Sequence, residues 1–262
     1  MSTTMIKMGA AALKARTTDF EWETFYKGGA AAAGLVVLVG LLDIGIMFLP
    51  GTGTNPGMRT VADWFSLLQS RWFLALRDMG LLNMLTMTFS VVVFFALYGA
   101  HRRIKPLAAA LALILACIAA SIYIANNTAL PMLTLSKQYA AAATESQKAL
   151  WTAAGQALLA KEDLTAGAFP GFLFAEAAGF LLALVALQGG VFRRWEAWLG
   201  IVATACLLFF NICAAFIPVL YDQVMPVFGA GGGLLSMVWY ALIAHRLFLM
   251  TAMPAKTLPA QR

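Results

Sequence analysis

Long apolar runs separated by short polar stretches make up most of the chain. A membrane-spanning helix needs about 20 mostly apolar residues, and such runs fall at 28–49, 79–98, 106–125, 168–188, 198–220 and 226–248. They predict an all-α polytopic integral membrane bundle of six transmembrane helices. Between the first two runs, Val61, Trp64, Phe65, Leu68 and Trp72 recur at helical spacing, with Asp63, Ser66, Gln69 and Ser70 largely on the opposite face. That pattern predicts a helix lying in the membrane interface and running on towards the second span. Thr60 and Asp63 supply a capping-box-like start. The longest connection, Asn126 to Gly167, begins with Pro131, then carries Thr144 and Gln147 at capping spacing and Leu150, Ala154 and Leu158 four residues apart. A second interfacial or surface-packed helix is expected there, an uncapped polar loop being the alternative.

Composition sharpens the class. The chain is 61% hydrophobic and 11% charged, well below the roughly 25% charged residues of soluble domains. The formal charge of +6 is therefore read as membrane topology rather than as a nucleic-acid footprint. Lys7, Lys14, Arg16, Lys27, Arg102, Arg103, Lys105, Arg193, Arg194, Arg246, Lys256 and Arg262 fall on one side of the predicted bundle. Arg59, Arg71, Arg77, Lys137, Lys148 and Lys161 fall on the other. Twice as many basic residues on the first side places both termini in the cytoplasm and the interfacial helices outside. The expected organisation is a cytoplasmic segment 1–27, a transmembrane domain 28–248 and a cytoplasmic tail 249–262, in a bacterial inner membrane. The first 27 residues are polar and mixed in charge, without the short apolar core of a signal peptide.

Two carboxylates interrupt the apolar runs. Asp43 lies late in the first span and Glu176 about eight residues into the fourth, some 12 Å deep at about 1.5 Å per residue. An acid inside a bilayer is costly and faces a partner, water or the bundle interior. Asn211 in the fifth span is at similar depth, Asn126 and Asn127 close the third span, and Tyr221 and Asp222 follow the fifth on the same side. Asp43, Glu176, Asn211, Asn127 and Asp222 are thus the candidate ligand-binding residues, provided that their faces converge. Oxygen ligands of this kind suit a cation, a proton or a polar lipid head. The structural alternative is that the acids are paired by Arg71, Arg77 or Lys137 and only fix the packing.

Other signals are weaker. His101 and His245 sit beside arginines and are expected at the cytoplasmic headgroups, away from the acids. Cys117, Cys206 and Cys213 lie in apolar spans at no metal or redox spacing and read as small buried hydrophobes. Gly229, Gly231, Gly232 and Gly233 after Pro226 suggest a locally unwound helix start or close helix packing. Pro218 is expected to loosen the end of the fifth span. Tyr240, deep in the sixth span, needs a hydrogen-bond partner. No nucleophile motif, phosphate loop or dinucleotide fingerprint is present, so nothing argues for an enzyme, and the sequence names no cofactor or metal.

Several segments are similar to a known family. The run from Ala125 through Asn126, Asn127, Thr128 and Ala129, the stretch from Leu135 to Ala142, and Gly155 to Ala160 resemble the outer connection of an uncharacterised bacterial integral membrane family, domain of unknown function 4386. So do Val191 to Ile201 and Met237 to Phe248. The resemblance covers roughly residues 30–250 and implies a multi-span membrane fold without a known reaction. The expected role is binding of a lipid, hydrophobic molecule or cation in an outward-facing acidic cavity, for transport or sensing. The alternative is a structural subunit of a larger membrane complex. Membrane lipids and a homodimer or larger assembly are the expected partners, and nucleic acid is not.

Overall fold

The computed structural model describes residues 3–47, 60–162 and 167–252, with side chains from Trp22 onwards. Arg59, Lys256, Arg262 and the last two residues of the predicted first span lie outside the described residues. Among the described residues the elements are helical throughout, with no strand. Six helices are long and apolar enough to cross a membrane, which makes this an all-α, multi-pass membrane protein. They are α1 (Thr3–Met47), α4 (Leu81–His101), α5 (Pro106–Asn126), α8 (Phe169–Gln188), α9 (Arg194–Phe216) and α11 (Gly232–Ala252). The 21 residues of α4 rise about 31 Å at 1.5 Å each, matching a hydrocarbon core of about 30 Å. In α1 the apolar stretch is Trp22–Ile46, so the polar first segment and the first span form one continuous helix.

Each spanning helix packs on the next in the chain, and α11 closes back on α1. The result is a six-membered ring. Small residues let the backbones approach: Ala112, Ala116, Ala119 and Ala120 form the buried stripe of α5, and a side chain added at Gly29 would strike Ala96 of α4. Such contacts drive helix association where lipid is as apolar as the interface. One end of the ring carries the turns with Arg102, Arg103, Lys105 and Arg193 and is called the basic end. Towards it all six helices contribute to one core, among them Ala33, Phe94, Leu97, Ala116, Leu182, Ala186, Ile201, Trp239, Ile243 and Leu247.

The opposite end carries a separate cap of four helices: α2 (Val61–Ser70), α3 (Trp72–Asp78), α6 (Ala129–Ala140) and α7 (Glu145–Glu162). The capping box of α2 forms, the Thr60 amide donating to Asp63 Oδ2 at 2.9 Å and the Asp63 amide to Thr60 Oγ1 at 3.3 Å. The apolar face of α2 does not lie on the membrane as its pattern suggested. Val61, Trp64, Phe65 and Leu68 are buried with Leu76 and Met132 in a core of the cap's own. The physical reason is a better partner: α6 and α7 present apolar faces in the same layer. Ser136 Oγ of α6 donates to the Phe65 carbonyl at 3.1 Å, and Gln69 Nε2 donates to that of Ser136 at 3.3 Å.

The helix also fails to run on into the second span. The backbone breaks at Arg71 and again at Gly80, whose φ of +79° belongs to the left-handed region that favours glycine. Helix α6 was not anticipated; Pro131 occupies its first turn, where the absent N–H costs little. Helix α7 starts as its capping spacing suggests, Thr144 Oγ1 accepting from the Gln147 amide at 3.2 Å. Beyond α9, a 3₁₀ turn (Pro218–Leu220), the short α10 (Tyr221–Val224) and a wide π-helical segment (Met225–Gly231) lead into α11. The glycine-rich run thus begins in non-standard helix, and α9 ends two residues before Pro218.

Candidate functional site

The inward faces of the spanning helices change character halfway along the ring. On α4 the stripe Leu97, Phe94, Ser90, Thr86 and Asn83 follows helical spacing and turns from apolar to polar on moving from the basic end to the cap end. On α8 the stripe is Ala186, Ala183, Gly179 and Glu176. On α11 it is Leu247, Ile243, Tyr240 and Ser236, and on α9 Ala197, Ile201, Thr204 and Asn211. The apolar halves fill the common core. The polar halves line the ring towards the cap.

Packing loosens at a similar level on three of the helices. No residue is buried in 37–46 of α1, 83–92 of α4 or 172–177 of α8, whereas Ala178, Leu182, Ala183, Val185 and Ala186 follow as a buried run on α8. Glu176 is deep among protein atoms yet only part-buried. Glu176 is thus neither sealed in the core nor fully exposed. The hydrogen bonds agree. Glu176, Asn83, Asn211 and Ser236 make no side-chain hydrogen bond among the described residues, yet the sealed polar atom without a partner there is His101 Nε2. The unpaired polar atoms of the other four therefore keep accessible surface. We call this polar, incompletely buried half of the ring the vestibule.

Its floor is defined by one cross-ring contact. Ser90 on α4 and Tyr240 on α11 share a hydrogen bond of 3.0 Å, which supplies the partner that Tyr240 required. Glu176 lies within electrostatic range of that hydroxyl. Below it, Phe94, Trp239 and Ile243 close the ring.

The five candidates from the sequence separate. Glu176 and Asn211 lie on the vestibule stripes. Asp43 is held by Arg77 of α3: Nε donates to Asp43 Oδ1 at 2.7 Å and Nη2 to the Asp43 carbonyl at 2.8 Å. Nη1 donates to Asp78 Oδ1 at 2.8 Å. Burial pulls the Arg77 pKa down, but the hydrogen bonds and charges of Asp78 and Asp43 outweigh it and hold it above its ordinary value. This cluster straps the cap to the first span. Asn127 is likewise structural in its contacts, its Nδ2 donating to the Met79 carbonyl at 2.9 Å and its Oδ1 accepting from the Ala129 amide at 3.2 Å. Asp222 is exposed on α10 and is not brought to Glu176 by any contact.

Sequence reasoning missed Asn83, Thr86, Ser90 and Ser236. The available signal was the spacing 83, 86, 90 within the second span, a polar face that a search for charges passes over. It also missed the ion pair at the basic end, where Arg246 of α11 donates through Nε to Glu196 Oε2 at 3.0 Å and through Nη2 to Oε1. His101 is not at the headgroups. It is fully buried, its Nδ1 2.9 Å from the Leu97 carbonyl and its ring stacked on Phe192. Helix α4 turns it inward one turn after Leu97, onto the apolar stripe.

No family model, curated protein or solved structure matches this chain. The resemblance to the uncharacterised membrane family therefore rests on the residues quoted for it alone.

Proposed function

We propose that the protein is a bacterial inner-membrane protein with both termini cytoplasmic, and that its vestibule opens outwards and binds a small, singly charged cation or amine. The observation that carries the reading is Glu176, a carboxyl on the core-facing stripe of α8 with accessible surface and no hydrogen-bond partner among the described residues. An unpaired intramembrane acid is the default mark of a ligand or ion pathway. The other polar groups on the inward stripes are neutral, the amides of Asn83 and Asn211 and the hydroxyls of Ser236 and Tyr240. One carboxylate amid neutral oxygens suits a single positive charge. Among the described residues no three His, Cys, Asp or Glu side chains gather as a metal group, whereas calcium draws on several oxygen ligands, carboxylates prominent among them. The excess of basic residues at the other end supports the orientation.

The test is native mass spectrometry of the protein extracted gently from its own membrane, beside Glu176→Gln. A discrete cationic adduct on the parent, absent from the variant, is the expected result and gives the ligand by mass. A bare parent, or an adduct or subunit retained equally by the variant, overturns the proposal and favours a structural role.

A further inference from the structure

The basic end carries a second arrangement, independent of the vestibule. The turn after α4 and the turn before α9 lie side by side, because His101 closing the first stacks on Phe192 in the second, ring centroids 6.0 Å apart and planes within 2°. A side chain added at Gly189 would strike the His101 ring, so the turn before α9 closes tightly on that side chain. These paired turns hold Arg102, Arg103, Lys105, Arg193 and Arg194 against one carboxylate, Glu196. That carboxylate is already taken by Arg246 and by the Arg193 amide, at 2.8 Å. Arg102 is held over the Trp22 ring, 3.9 Å from its centroid. Arg103, Lys105 and Arg194 remain exposed, and their side chains make no ion pair or hydrogen bond among the described residues.

Two large aromatic residues flank this charge. Trp195 and Trp198 are one turn apart on α9 and more than half exposed, 53% and 56%. Exposed tryptophans at the end of a spanning helix sit at headgroup level, with the ring body apolar and the indole N–H free to donate. Unneutralised cations beside an aromatic shelf at a bilayer surface complement a negatively charged group that carries acyl chains. Arginine adds paired donors that match phosphate oxygens. A soluble anion would use the cations and ignore the shelf.

We propose that these adjacent turns bind the phosphate headgroup of an anionic phospholipid, gripped by Arg103, Lys105 and Arg194, with its glycerol and upper chains against Trp195 and Trp198. The occupant is a lipid of the same bilayer leaflet.

The experiment uses the full chain in detergent micelles, titrated with dioleoylphosphatidylglycerol or dioleoylphosphatidylcholine and read by native mass spectrometry of bound lipid. The parent is expected to retain the phosphatidylglycerol in preference. Each surface cation near an anionic lipid is worth about a fivefold change in affinity, so R103Q/K105Q/R194Q is expected to bind it about a hundredfold more weakly, with the phosphatidylcholine unchanged. R71Q/K137Q/K148Q, the same charge change at the cap end, is expected to match the parent. Should the triple variant fail to fold, Arg194→Gln alone is expected to lose roughly fivefold. Equal retention of the two lipids, equal binding by parent and variants, or an equal loss in the cap-end control overturns the site. Competition by glycerol 3-phosphate at concentrations comparable to the lipid also overturns it, because the site would then serve a soluble phosphate.

Discussion

Replacing Arg77 with Gln tests the division of labour between the two intramembrane acids. The guanidinium makes three hydrogen bonds, to Asp43 Oδ1, to the Asp43 carbonyl and to Asp78 Oδ1. Removing one partner of a buried pair costs about 3–5 kcal/mol, since the other charge is left uncompensated. That range is a ceiling for Asp78, whose side chain is 1% exposed but which has further interactions. Asp43 is 31% exposed, so water screens its share to about 1 kcal/mol. Together these give a loss of about 3 kcal/mol. Asp43→Asn is expected to cost about 1 kcal/mol, because the amide oxygen still accepts and the carbonyl bond is untouched.

Equilibrium unfolding in mixed micelles by added sodium dodecyl sulfate, followed by tryptophan fluorescence, measures both changes. The double variant is expected to fall short of the sum of the singles by about 1 kcal/mol, the signature of a direct pair. Arg77→Gln within about 0.5 kcal/mol of the parent, or strict additivity, refutes the strap. The same samples carry a second readout. Asp43→Asn is expected to keep any cationic adduct that Glu176→Gln loses, because Asp43 is occupied by Arg77 and Glu176 is not.

Three other outcomes follow from the geometry. Gly80→Ala places a side chain at φ +79° against the Tyr123 hydroxyl and is expected to cost at least about 1–2 kcal/mol in the same unfolding assay. Tyr240→Phe removes the 3.0 Å bond to Ser90 at about 1 kcal/mol, and Ser90→Ala combined with it is expected to add little; full additivity would deny the contact. Single cysteines placed at Asn83 or Ser236, in a chain freed of Cys117, Cys206 and Cys213, are expected to react with a membrane-impermeant maleimide. One placed at Ile243, in the closed half of the ring, is not, and equal labelling of all three positions would refute the vestibule.

The spans were legible because the bilayer imposes one simple demand, about 20 apolar residues without interruption. Asp43 and Glu176 stood out for the converse reason. The sequence gives depth along each helix, and depth grouped Asp43 with Glu176. It does not give the rotation of one helix against another, and rotation decides that Asp43 meets Arg77 while Glu176 faces the vestibule. The cap was half legible. The capping patterns of α2 and α7 depend on neighbours three residues away and could be read directly. The burial of Trp64 and Phe65 depends on α6, some 70 residues later in the chain. His101 was misjudged because its neighbours in sequence are arginines, whereas its neighbours in space are Leu97 and Phe192.

The two ends of the ring are built on opposite physical terms. At the basic end the helices are fastened to one another: Glu196 to Arg246 joins α9 and α11, Arg102 on Trp22 joins α4 and α1, and His101 on Phe192 joins α4 to the turn before α9. Towards the cap end residues 37–46 of α1, 83–92 of α4 and 172–177 of α8 hold no buried residue, and α1 and α4 are tied through the cap by Arg77 and Gly80. Unpaired amides and a carboxyl facing lipid or a dry core would each cost several kcal/mol. A bundle that leaves Glu176, Asn83, Asn211 and Ser236 without side-chain partners in its cap-side half is tolerable only where water or a polar ligand satisfies them. The proposed cation site therefore requires the polar half of the ring to be wet, with the fastened apolar half beneath it stopping that water from crossing.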